Sequence, residues 1–461
     1  MKHTLNESIL RLYDIRGEFG KTLNNKDAFF IGKAFASIVR NDGGLRIAVA
    51  RDGRLSSPEL TDSLVQGLVS CGTDVYLTGL VPTPALYFAV HDLNLDAGVM
   101  VTGSHNPKEH NGFKLLLSDK PFYGEDIKKL AKIVYDQRYL DSPKVGQIFD
   151  VDILDNYLNA VFSKINFAHP INIVWDCGNG AAGAVIKRLS ARVPGHHALI
   201  NEQIDGNFPG RSPDPTAKGS MDQIHQLIME GSYDLGIAFD GDADRLVVLD
   251  NKGRIISGDQ LLCLMARDVL EKHPGAKIIA DIKSSLVFFD EVKRLGGVPV
   301  MSSTGHSLIK AKMRETGALL AGELSGHLFF SDDWYGFDDA LYSSVRLASF
   351  LTNQNKSLSD LLDDLPKTFS SPEIRISCSR DRAFEILETL SRELALEPSL
   401  EIKTIDGLRV KSEYGWWLLR ASNTQDVMVA RAEAKTQENF VKIEQQLYSI
   451  LKRFGLQYRR G

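Results

Sequence analysis

Short runs of apolar, often β-branched residues recur along this chain, and each run ends in a polar or glycine-bearing loop. The clearest runs are residues 47–50, 171–175, 235–239, 278–280 and 298–301. Apolar strands that alternate with helical stretches are typical of parallel sheets covered on both faces. Such sheets bind ligands beyond the carboxyl ends of their strands. We therefore expect the polar loops to converge on one cleft.

The chain has 461 residues, which is longer than a single hydrophobic core supports, so three or four domains are expected. Turn-forming stretches predict breaks near residues 150, 256 and 368. The segments 1–150, 151–256 and 257–368 have the strand and helix alternation of α/β domains. The segment 369–461 combines a strand at 372–378, a helix at 381–396, two further strands and a final amphipathic helix. It indicates an α+β domain.

Composition excludes several classes of protein. The chain carries 54 Lys and Arg against 59 Asp and Glu, a net charge of −5, without a long basic run, which argues against non-specific nucleic-acid binding. The four cysteines are far apart and form no C-x-x-C pair, which favours a reducing compartment. No signal-peptide core and no run of 18 apolar residues is present. We expect a cytoplasmic, monomeric protein that binds neither nucleic acid nor membranes.

A serine with a possible catalytic role lies in the segment T-G-S-H-N-P at residues 102–107, directly after an apolar run. A serine hydroxyl becomes a useful nucleophile only beside a base or a metal. Lys114 could place a cation nearby, and His105 is either a base or a residue that orients the loop. No G-x-S-x-G motif surrounds Ser104, which disfavours an esterase. A simple strand-to-helix turn made of small polar residues is the alternative.

Three aspartates alternate in the segment D-G-D-A-D-R at residues 240–245. At about 4 Å, one pair of like charges costs ~4 kcal/mol at an effective dielectric of about 20. A divalent cation reverses that repulsion, and Mg²⁺ prefers oxygen ligands and leaves positions for phosphate. A calcium-binding EF-hand is unlikely because Arg245 and Asn251 replace the glycine and glutamate that it needs. A solvated acidic turn and a phosphatase with an aspartyl nucleophile remain alternatives.

Three other segments have two interpretations each. G-N-G-A-A-G at 178–183 fits a dinucleotide-binding motif, but close strand–helix packing uses the same glycines. The segment G-E-L-S-G-H at 322–327 is suited to binding sugar hydroxyls, and the alternative is that Glu323 and His327 form a buried pair. R-A-S-N-T at 420–424 suits a phosphate dianion, or else is a polar turn that caps a helix.

In this order, the segments resemble the α-D-phosphohexomutase family, from Y-D-I-R-G at 13–17 to R-A-E-A at 431–434. The resemblance implies three related α/β domains with mixed, mainly parallel sheets and a C-terminal α+β domain, all around a central cleft. It implies an isomerase that interconverts hexose 1-phosphate and hexose 6-phosphate, with mannose and glucose as sugars. The reaction would pass through a phosphoserine enzyme and a 1,6-bisphosphate. Nucleotide-sugar and polysaccharide biosynthesis would suit such an enzyme.

The resemblance also implies roles for individual residues. Ser104 would carry the phosphate and complete a Mg²⁺ shell with Asp240, Asp242 and Asp244. Lys114, Arg16 and His327 are the candidates for moving protons or stabilising charge, although the high pKa of arginine makes Arg16 a stabiliser of charge. The substrate-binding candidates are Tyr13, Arg245, Lys283, His306, Glu323, Ser325, His327, Arg420, Ser422, Asn423 and Thr424. Glucose or mannose 1,6-bisphosphate would be the activator, and hexose phosphates the partners.

Two departures from the family pattern affect selectivity more than chemistry. Arg211 and Ser212 stand where the family often has histidines, and Gln425 and Asp426 replace the common acidic residue and proline. A phosphoglucosamine mutase shares the chemistry and is the nearest rival. A hydrolytic phosphatase and a catalytically silent sugar-phosphate binder are rivals of other classes.

Overall fold

The computed structural model describes residues 3–118, 120–422 and 426–456. Four β-sheets follow one another along the chain, and each is covered by its own helices. We refer to the four sheets with their helices as the first to fourth domains. Among the described residues, no helix has both the length and the apolar character needed to cross a membrane.

The first domain has a six-stranded sheet in the order β1-β5-β4-β2-β3-β6. The apolar strands β2, β3 and β4 are parallel, and β5 pairs antiparallel with both β4 and β1. An Asn24–Asp27 capping box begins helix α1. Its elements are β1 (Ile15–Glu18), α1 (Asn25–Asn41), β2 (Arg46–Arg51), α2 (Ser57–Ser70), β3 (Asp74–Leu80), α3 (Thr83–Asp92), β4 (Ala97–Val101), β5 (His110–Leu117), α4 (Glu125–Asp136) and β6 (Ile148–Asp150).

The second domain has a five-stranded sheet in the order β11-β10-β9-β7-β8. The strands β7, β8 and β9 are parallel, and β10 returns antiparallel to β9. Its elements are α5 (Leu154–Phe162), β7 (Ile173–Asp176), α6 (Ile186–Ser190), β8 (His197–Ile200), α7 (Asp222–Glu230), β9 (Leu235–Phe239), β10 (Leu246–Asp250) and β11 (Ile255–Ile256).

The third domain has a four-stranded sheet in the order β13-β12-β14-β15. Here too the inner strands are parallel and the last strand, β15, is antiparallel to β14. Its elements are α8 (Gly258–Lys272), β12 (Lys277–Asp281), α9 (Leu286–Arg294), β13 (Val298–Ser302), α10 (His306–Thr316), β14 (Leu320–Gly322), β15 (Leu328–Phe330), α11 (Ala340–Thr352) and α12 (Leu358–Asp363).

The fourth domain differs, because all the strand pairs of its sheet are antiparallel. Two amphipathic helices cover the sheet, and the Thr436 side chain caps the second of them. Its elements are β16 (Phe369–Ser370), β17 (Ile374–Ser377), α13 (Arg380–Leu394), β18 (Glu401–Lys403), β19 (Leu408–Lys411), β20 (Trp416–Ala421), β21 (Val427–Ala434) and α14 (Gln437–Arg453).

This architecture confirms the expected fold class of three α/β domains followed by an α+β domain. The apolar runs recognised in the sequence are β2, β7, β9, β12 and β13. A recurrent feature went unrecognised: each of the first three sheets contains an antiparallel hairpin, β4–β5, β9–β10 or β14–β15. The loops of these three hairpins carry the serine, the aspartates and the Glu–His segment.

Candidate active site

The first of these hairpin loops, residues 102–110, holds Ser104 and is called the serine loop below. It joins two antiparallel strands, which differs from a strand-to-helix turn. Ser104 is 1% exposed and has a φ of +49°, in the left-handed region that non-glycine residues rarely adopt. Its Oγ donates to Asp240 Oδ2 at 2.9 Å and lies 3.1 Å from His105 Nδ1. The serine hydroxyl of the first domain therefore touches the aspartate cluster of the second.

The second hairpin loop, residues 240–245, brings the three aspartates together. Asp240, Asp242 and Asp244 are at most 1% exposed, and each offers a carboxylate oxygen within 4.8 Å of the others. Lys114 from β5 donates to Asp242 Oδ2 at 2.6 Å and also to Asp244. The Thr83 hydroxyl donates to Asp242 Oδ2 at 2.5 Å. Buried negative charge is thus concentrated beside the serine and is only partly compensated.

The charges in this cluster shift one another's pKa values. Burial, together with Asp244 and Asp242, raises the pKa of Asp240 well above its ordinary value. Burial alone would raise the pKa of Asp244, but Lys114 and His327 lower it well below the usual range. Burial alone would lower the pKa of Lys114, yet Asp242 and Asp244 raise it. Lys114 is therefore a fixed positive charge at neutral pH.

The donor set fits a hard divalent cation. Asp242 Oδ1 and Asp244 Oδ1 are buried and accept no hydrogen bond from the residues that the structure describes. Unpartnered carboxylate oxygens in a buried site are costly unless a cation or a donor satisfies them. Oxygen-only ligands of this kind match the preference of Mg²⁺.

The glycine-rich segment 178–183 packs against the carboxylate loop. The Ala181 amide donates to the Gly241 carbonyl at 2.9 Å, and a Cβ at Gly180 would lie 2.7 Å from that carbonyl. From the other side, Arg211 donates to the carbonyl of Phe239 at 2.6 Å and to Asp176 Oδ2 at 2.6 Å. The packing interpretation of the glycine motif is the one that this geometry favours.

The third hairpin loop, residues 323–327, forms a buried Glu–His pair. His327 Nδ1 lies 2.7 Å from Glu323 Oε2 and 3.2 Å from Ser325 Oγ. Burial would raise the pKa of Glu323, but His327 lowers it to about 2. Burial and Arg245 would lower the pKa of His327, but Asp244 and Glu323 raise it to about 9.

Arg245 sets a condition on how His327 can carry a proton. Its Nε donates to His327 Nε2 at 3.0 Å, a contact that needs an unprotonated Nε2. The neutral tautomer with its proton on Nδ1 satisfies both this contact and the one to Glu323. Protonation of Nε2 must displace Arg245, so proton uptake by His327 is coupled to movement of that guanidinium.

His306 stacks on His327, with ring centroids 5.8 Å apart, and its Nδ1 lies 3.2 Å from Asp338 Oδ2. Lys310 also pairs with Asp338, at 2.8 Å. Tyr13 contacts the His306 ring by its edge. A cavity of about 260 Å³ lies between the first and third domains, and its lining includes Tyr13, Lys114, His306 and Lys310.

The remaining candidates lie toward the fourth domain. Arg420 pairs with Asp406 at 3.1 Å, and Asp406 in turn accepts from the Thr304 amide of the third domain. The Thr304 carbonyl accepts from Tyr13 at 2.6 Å. Lys283 pairs with Glu373 of the fourth domain at 3.1 Å.

Most of the residues predicted from the sequence thus lie in one connected set, but four need separate mention. Arg16 contacts Asp14, the Gly103 carbonyl and Asn106, so it holds the serine loop. Ser422 lies at the end of β20, where its amide donates to Val427. Asn423 and Thr424 fall outside the described residues, so their predicted phosphate contacts stay predictions.

Sequence reasoning missed several residues that touch this set. Asp338 and Thr83 contact predicted residues directly, and Asp52 contacts the serine loop at the Gly103 amide, but each belongs to a loop or helix start without a motif of its own. Thr83 lies in V-P-T-P at 81–84, where the two prolines were the available signal. The sequence allows two roles for His105, as a base or as a residue that orients the loop. Burial and the charges of Arg245 and Arg16 hold its pKa well below the ordinary value.

Comparisons with known proteins agree with this geometry. Four models of the family described as phosphoglucomutase/phosphomannomutase match in order: α/β/α domain I at residues 8–139, domain II at 155–253, domain III at 257–369 and the C-terminal domain at 373–450.

Individual relatives match over nearly their whole length. A phosphomannomutase/phosphoglucomutase of Pseudomonas aeruginosa is 44% identical over 96% of this chain and 95% of its own. A phosphoglucomutase of Neisseria gonorrhoeae is 41% identical over 97% of each chain. The crystal structure of a phosphoglucomutase/phosphomannomutase family protein of Burkholderia thailandensis is 40% identical, with a TM-score of 0.93 over 99% of this chain and 100% of that one.

Proposed function

Because this chain belongs to the phosphoglucomutase/phosphomannomutase family, and is therefore a phosphotransferring isomerase, we propose that it interconverts hexose 1-phosphates and hexose 6-phosphates of mannose and glucose. Family membership confirms the resemblance to α-D-phosphohexomutases that the motifs indicated. The names of the similar enzymes from Pseudomonas aeruginosa and Neisseria gonorrhoeae support mannose and glucose as the sugars.

One observation carries the mechanism that we propose: Ser104 Oγ lies 2.9 Å from Asp240 Oδ2 in a buried cluster of carboxylates and cations. In this mechanism Ser104 is phosphorylated in the resting enzyme. The phosphorus–Oγ bond breaks as the free hydroxyl oxygen of the substrate bonds to phosphorus. That hydroxyl loses its proton to the enzyme, and Ser104 Oγ is left to regain one. The product is a 1,6-bisphosphate held in the cleft.

The bisphosphate then turns over, and its other phosphoryl group returns to Ser104. This reversal requires the cleft to accept either phosphate at the far end. Arg420 is suited to that task because a planar guanidinium binds a phosphate through two donors. Glu323 would bind sugar hydroxyls that both orientations present. Mannose and glucose differ only at C2, so tolerance at that carbon admits both sugars.

Phosphoryl transfer depends mainly on positioning and electrostatics. Mg²⁺, when bound by Asp240, Asp242 and Asp244, neutralises charge on the transferring oxygens. Lys114 supplies a permanent positive charge at the same point, and Arg16 holds the serine loop in place. His327 is our candidate for the proton transfer because it is buried beside Asp244 and its Nε2 accepts from Arg245 Nε at 3.0 Å, so a change in its protonation is coupled to Arg245.

Intact mass and peptide mapping test the phosphoserine directly, by asking whether Ser104 carries phosphate in the isolated enzyme. Isomerase assays with mannose, glucose and glucosamine 1-phosphates, with and without glucose 1,6-bisphosphate, then test the reaction. We expect phosphate on Ser104 and stimulation by the bisphosphate.

The rival functions give different results in these assays. Preference for glucosamine 1-phosphate would indicate a phosphoglucosamine mutase. Release of inorganic phosphate without dependence on bisphosphate would indicate a phosphatase. Absence of phosphate on Ser104 together with absence of turnover would indicate a binder. A cytoplasmic location and a monomeric state stay predictions, to be tested by fractionation and by light scattering.

A further inference from the structure

Arg54 lies in the loop after β2 and is among the largest side chains that are fully buried, with 1% of its surface exposed. A guanidinium has five N–H donors in a fixed planar arrangement. In Arg54 all five are used, and one of them, on Nε, binds Asp52 Oδ2 at 3.1 Å. The other four bind backbone carbonyls of the serine loop: Ser104 at 2.7 Å, Asn106 at 2.6 Å, Pro107 at 2.6 Å and His110 at 2.9 Å.

Asp52 also binds the serine loop, where it accepts hydrogen bonds from a hydroxyl and from a backbone amide. It accepts from the Thr102 hydroxyl at 2.7 Å and from the Gly103 amide at 3.3 Å. The Thr102 hydroxyl oxygen accepts from the amide of Ser104 at 2.8 Å. The backbone on both sides of Ser104 is therefore connected to one buried Asp52–Arg54 ion pair.

Two features of the chain make sense only with Arg54 in this place. A Cβ at Gly103 would lie 2.5 Å from the Cζ and Nε atoms of Arg54, so the guanidinium occupies the space that a side chain would need. Ser104 keeps its unfavourable left-handed φ of +49°, and such a conformation persists only where surrounding contacts determine it.

Residues of the second domain also pack against Arg54 and the loop that carries it. The ring of Phe208 lies 5.1 Å from the Arg54 guanidinium, in the geometry of a cation–π contact. A Cβ at Gly206 would lie 2.6 Å from the Leu55 amide, so the two backbones are in close contact there. Arg54 is thus enclosed between the serine loop and the domain that carries the aspartates.

We propose that Arg54, oriented by Asp52, is a positioning residue that fixes Ser104 Oγ against the carboxylate loop for phosphoryl transfer. Arg54 acts through the backbone of the serine loop and contacts no substrate. The proposal rests on the proposed function, because it concerns the rate at which Ser104 gains and gives phosphate. Displacement of a reacting atom by about 1 Å lowers rates by roughly 100-fold.

The test is Arg54→Lys, since a lysine keeps the charge but has three donors and cannot hold four carbonyls and a carboxylate. We expect kcat to fall roughly 100-fold, with KM changed less than about threefold. The rate at which glucose 1,6-bisphosphate phosphorylates Ser104, followed by intact mass, should fall by the same factor. Thermal unfolding checks that the variant is folded.

Arg40→Lys is the matched control. Arg40 also belongs to the first domain and binds backbone carbonyls, those of Cys71 at 2.7 Å and Leu140 at 3.2 Å, but it has no contact with the serine loop among the described residues. This variant should lower the unfolding temperature and leave the phosphorylation rate unchanged.

A folded Arg54→Lys variant that phosphorylates Ser104 at the wild-type rate would overturn the proposal, and so would an effect confined to KM. If Arg54→Lys does not fold, Asp52→Asn replaces it, because it weakens the orienting ion pair at constant volume. An unchanged phosphorylation rate in that variant also overturns the proposal. Failure of the wild-type enzyme to acquire phosphate on Ser104 would instead refute the proposed function, and this proposal with it.

Discussion

One apolar core runs through the first three domains, in addition to a separate core within the first domain around Phe35 and Phe113, whereas the core of the fourth domain is not continuous with it. The shared core includes Phe88 of the first domain, Trp175 of the second and Phe288 of the third. The apolar cluster between the third and fourth domains is small and centres on Ile282, Trp416 and Leu418, and buried hydrogen bonds from Arg409 and Arg431 to backbone carbonyls of the third domain accompany it. The first three domains therefore act as a packed body to which the fourth is attached.

The candidate site is divided in the same way, with one end in the first two domains and the other end in the fourth. Ser104 contacts Asp240, and Lys114 contacts Asp242, directly across the boundary between the first and second domains of the packed body. Arg420 and Glu373 belong to the fourth domain, where Arg420 pairs with Asp406 and Glu373 with Lys283. A phosphate can replace such carboxylate partners. The proposed centre for chemistry thus lies within the packed body, whereas the proposed binding end has ion pairs that a phosphate could exchange.

Removal of the Ser104 hydroxyl should have the largest effect, because in the proposed mechanism this hydroxyl alone carries the phosphate. We expect Ser104→Ala to lose mutase activity by roughly 10⁴-fold or more while keeping its fold. Steady-state isomerase assays and circular dichroism are the measurements. Ser163→Ala, at an exposed serine remote from the site, is the control. Full activity in Ser104→Ala would eliminate the covalent role.

Asp242→Asn tests the carboxylate cluster, with a smaller expected loss of roughly 100-fold. The substitution removes one charge from the proposed Mg²⁺ site, so more Mg²⁺ should be needed for half-maximal activity. Titration of activity with Mg²⁺ measures this shift. Asp250→Asn is the control, since Asp250 is equally buried but holds a turn around Lys252 and Arg254. An unchanged Mg²⁺ dependence in Asp242→Asn would contradict the assignment.

Substitution at the exchangeable end should act on binding more than on chemistry. Loss of charge-assisted hydrogen bonds in Arg420→Ala should raise KM roughly tenfold or more, with a smaller change in kcat. Asp406→Asn should lower KM, because Arg420 then loses its competing carboxylate. Initial-rate measurements separate the two constants, and Arg453→Ala, at a surface ion pair of the same domain, is the control. Equal losses of kcat in Arg420→Ala and Ser104→Ala would contradict the proposed division between a centre for chemistry and a binding end.

The last expected effect concerns the stability of the packed body and not catalysis. Burial raises the pKa of Asp339 to about 7, although the Tyr342 amide and Tyr157 hydroxyl lower it. A raised carboxyl pKa means that the folded state binds the proton more tightly. Stability should therefore fall as pH rises from about 4 to about 7, by up to about 1.4 kcal/mol per pH unit.

Asp339→Asn should remove this dependence, so its stability relative to wild type should rise between pH 5 and 7 and then level off. Thermal unfolding midpoints at pH 5, 6, 7 and 8 measure the difference. Glu397→Gln, at an exposed residue, should show no such trend. A constant offset between Asp339→Asn and wild type across this range would show that the carboxyl keeps an ordinary pKa in the fold.

Much of the fold was predictable because apolar strands and the polar loops after them leave a strong local pattern. The serine and the three aspartates were predicted to meet because both follow buried strands. The hairpins were not recognised, since the apolar run 246–250 after Arg245 is compatible with parallel or antiparallel pairing. The local sequence pattern predicts that a strand is present, but tertiary packing determines whether that strand pairs parallel or antiparallel.

The supporting residues were beyond prediction for a different reason. Arg54 binds carbonyls about fifty positions away along the chain, and backbone acceptors have no signature in sequence. Asp338 and His306 are likewise brought together by packing across more than thirty residues. The interpretation of Glu323 stayed open because a buried Glu–His pair and a sugar-binding carboxylate use the same residues.

Strand β20 is apolar on both of its faces: Trp417 and Leu419 point into the core of the fourth domain, while Trp416 and Leu418 pack on Ile282. Because β20 buries side chains on both of its faces, the fourth domain depends on the third domain to cover Trp416 and Leu418. If the region were cut free, an indole and a leucine side chain would be left facing water, together with the guanidinium of Arg409 stacked on that indole. The C-terminal region accordingly depends on the third domain and cannot be exchanged as an independent unit.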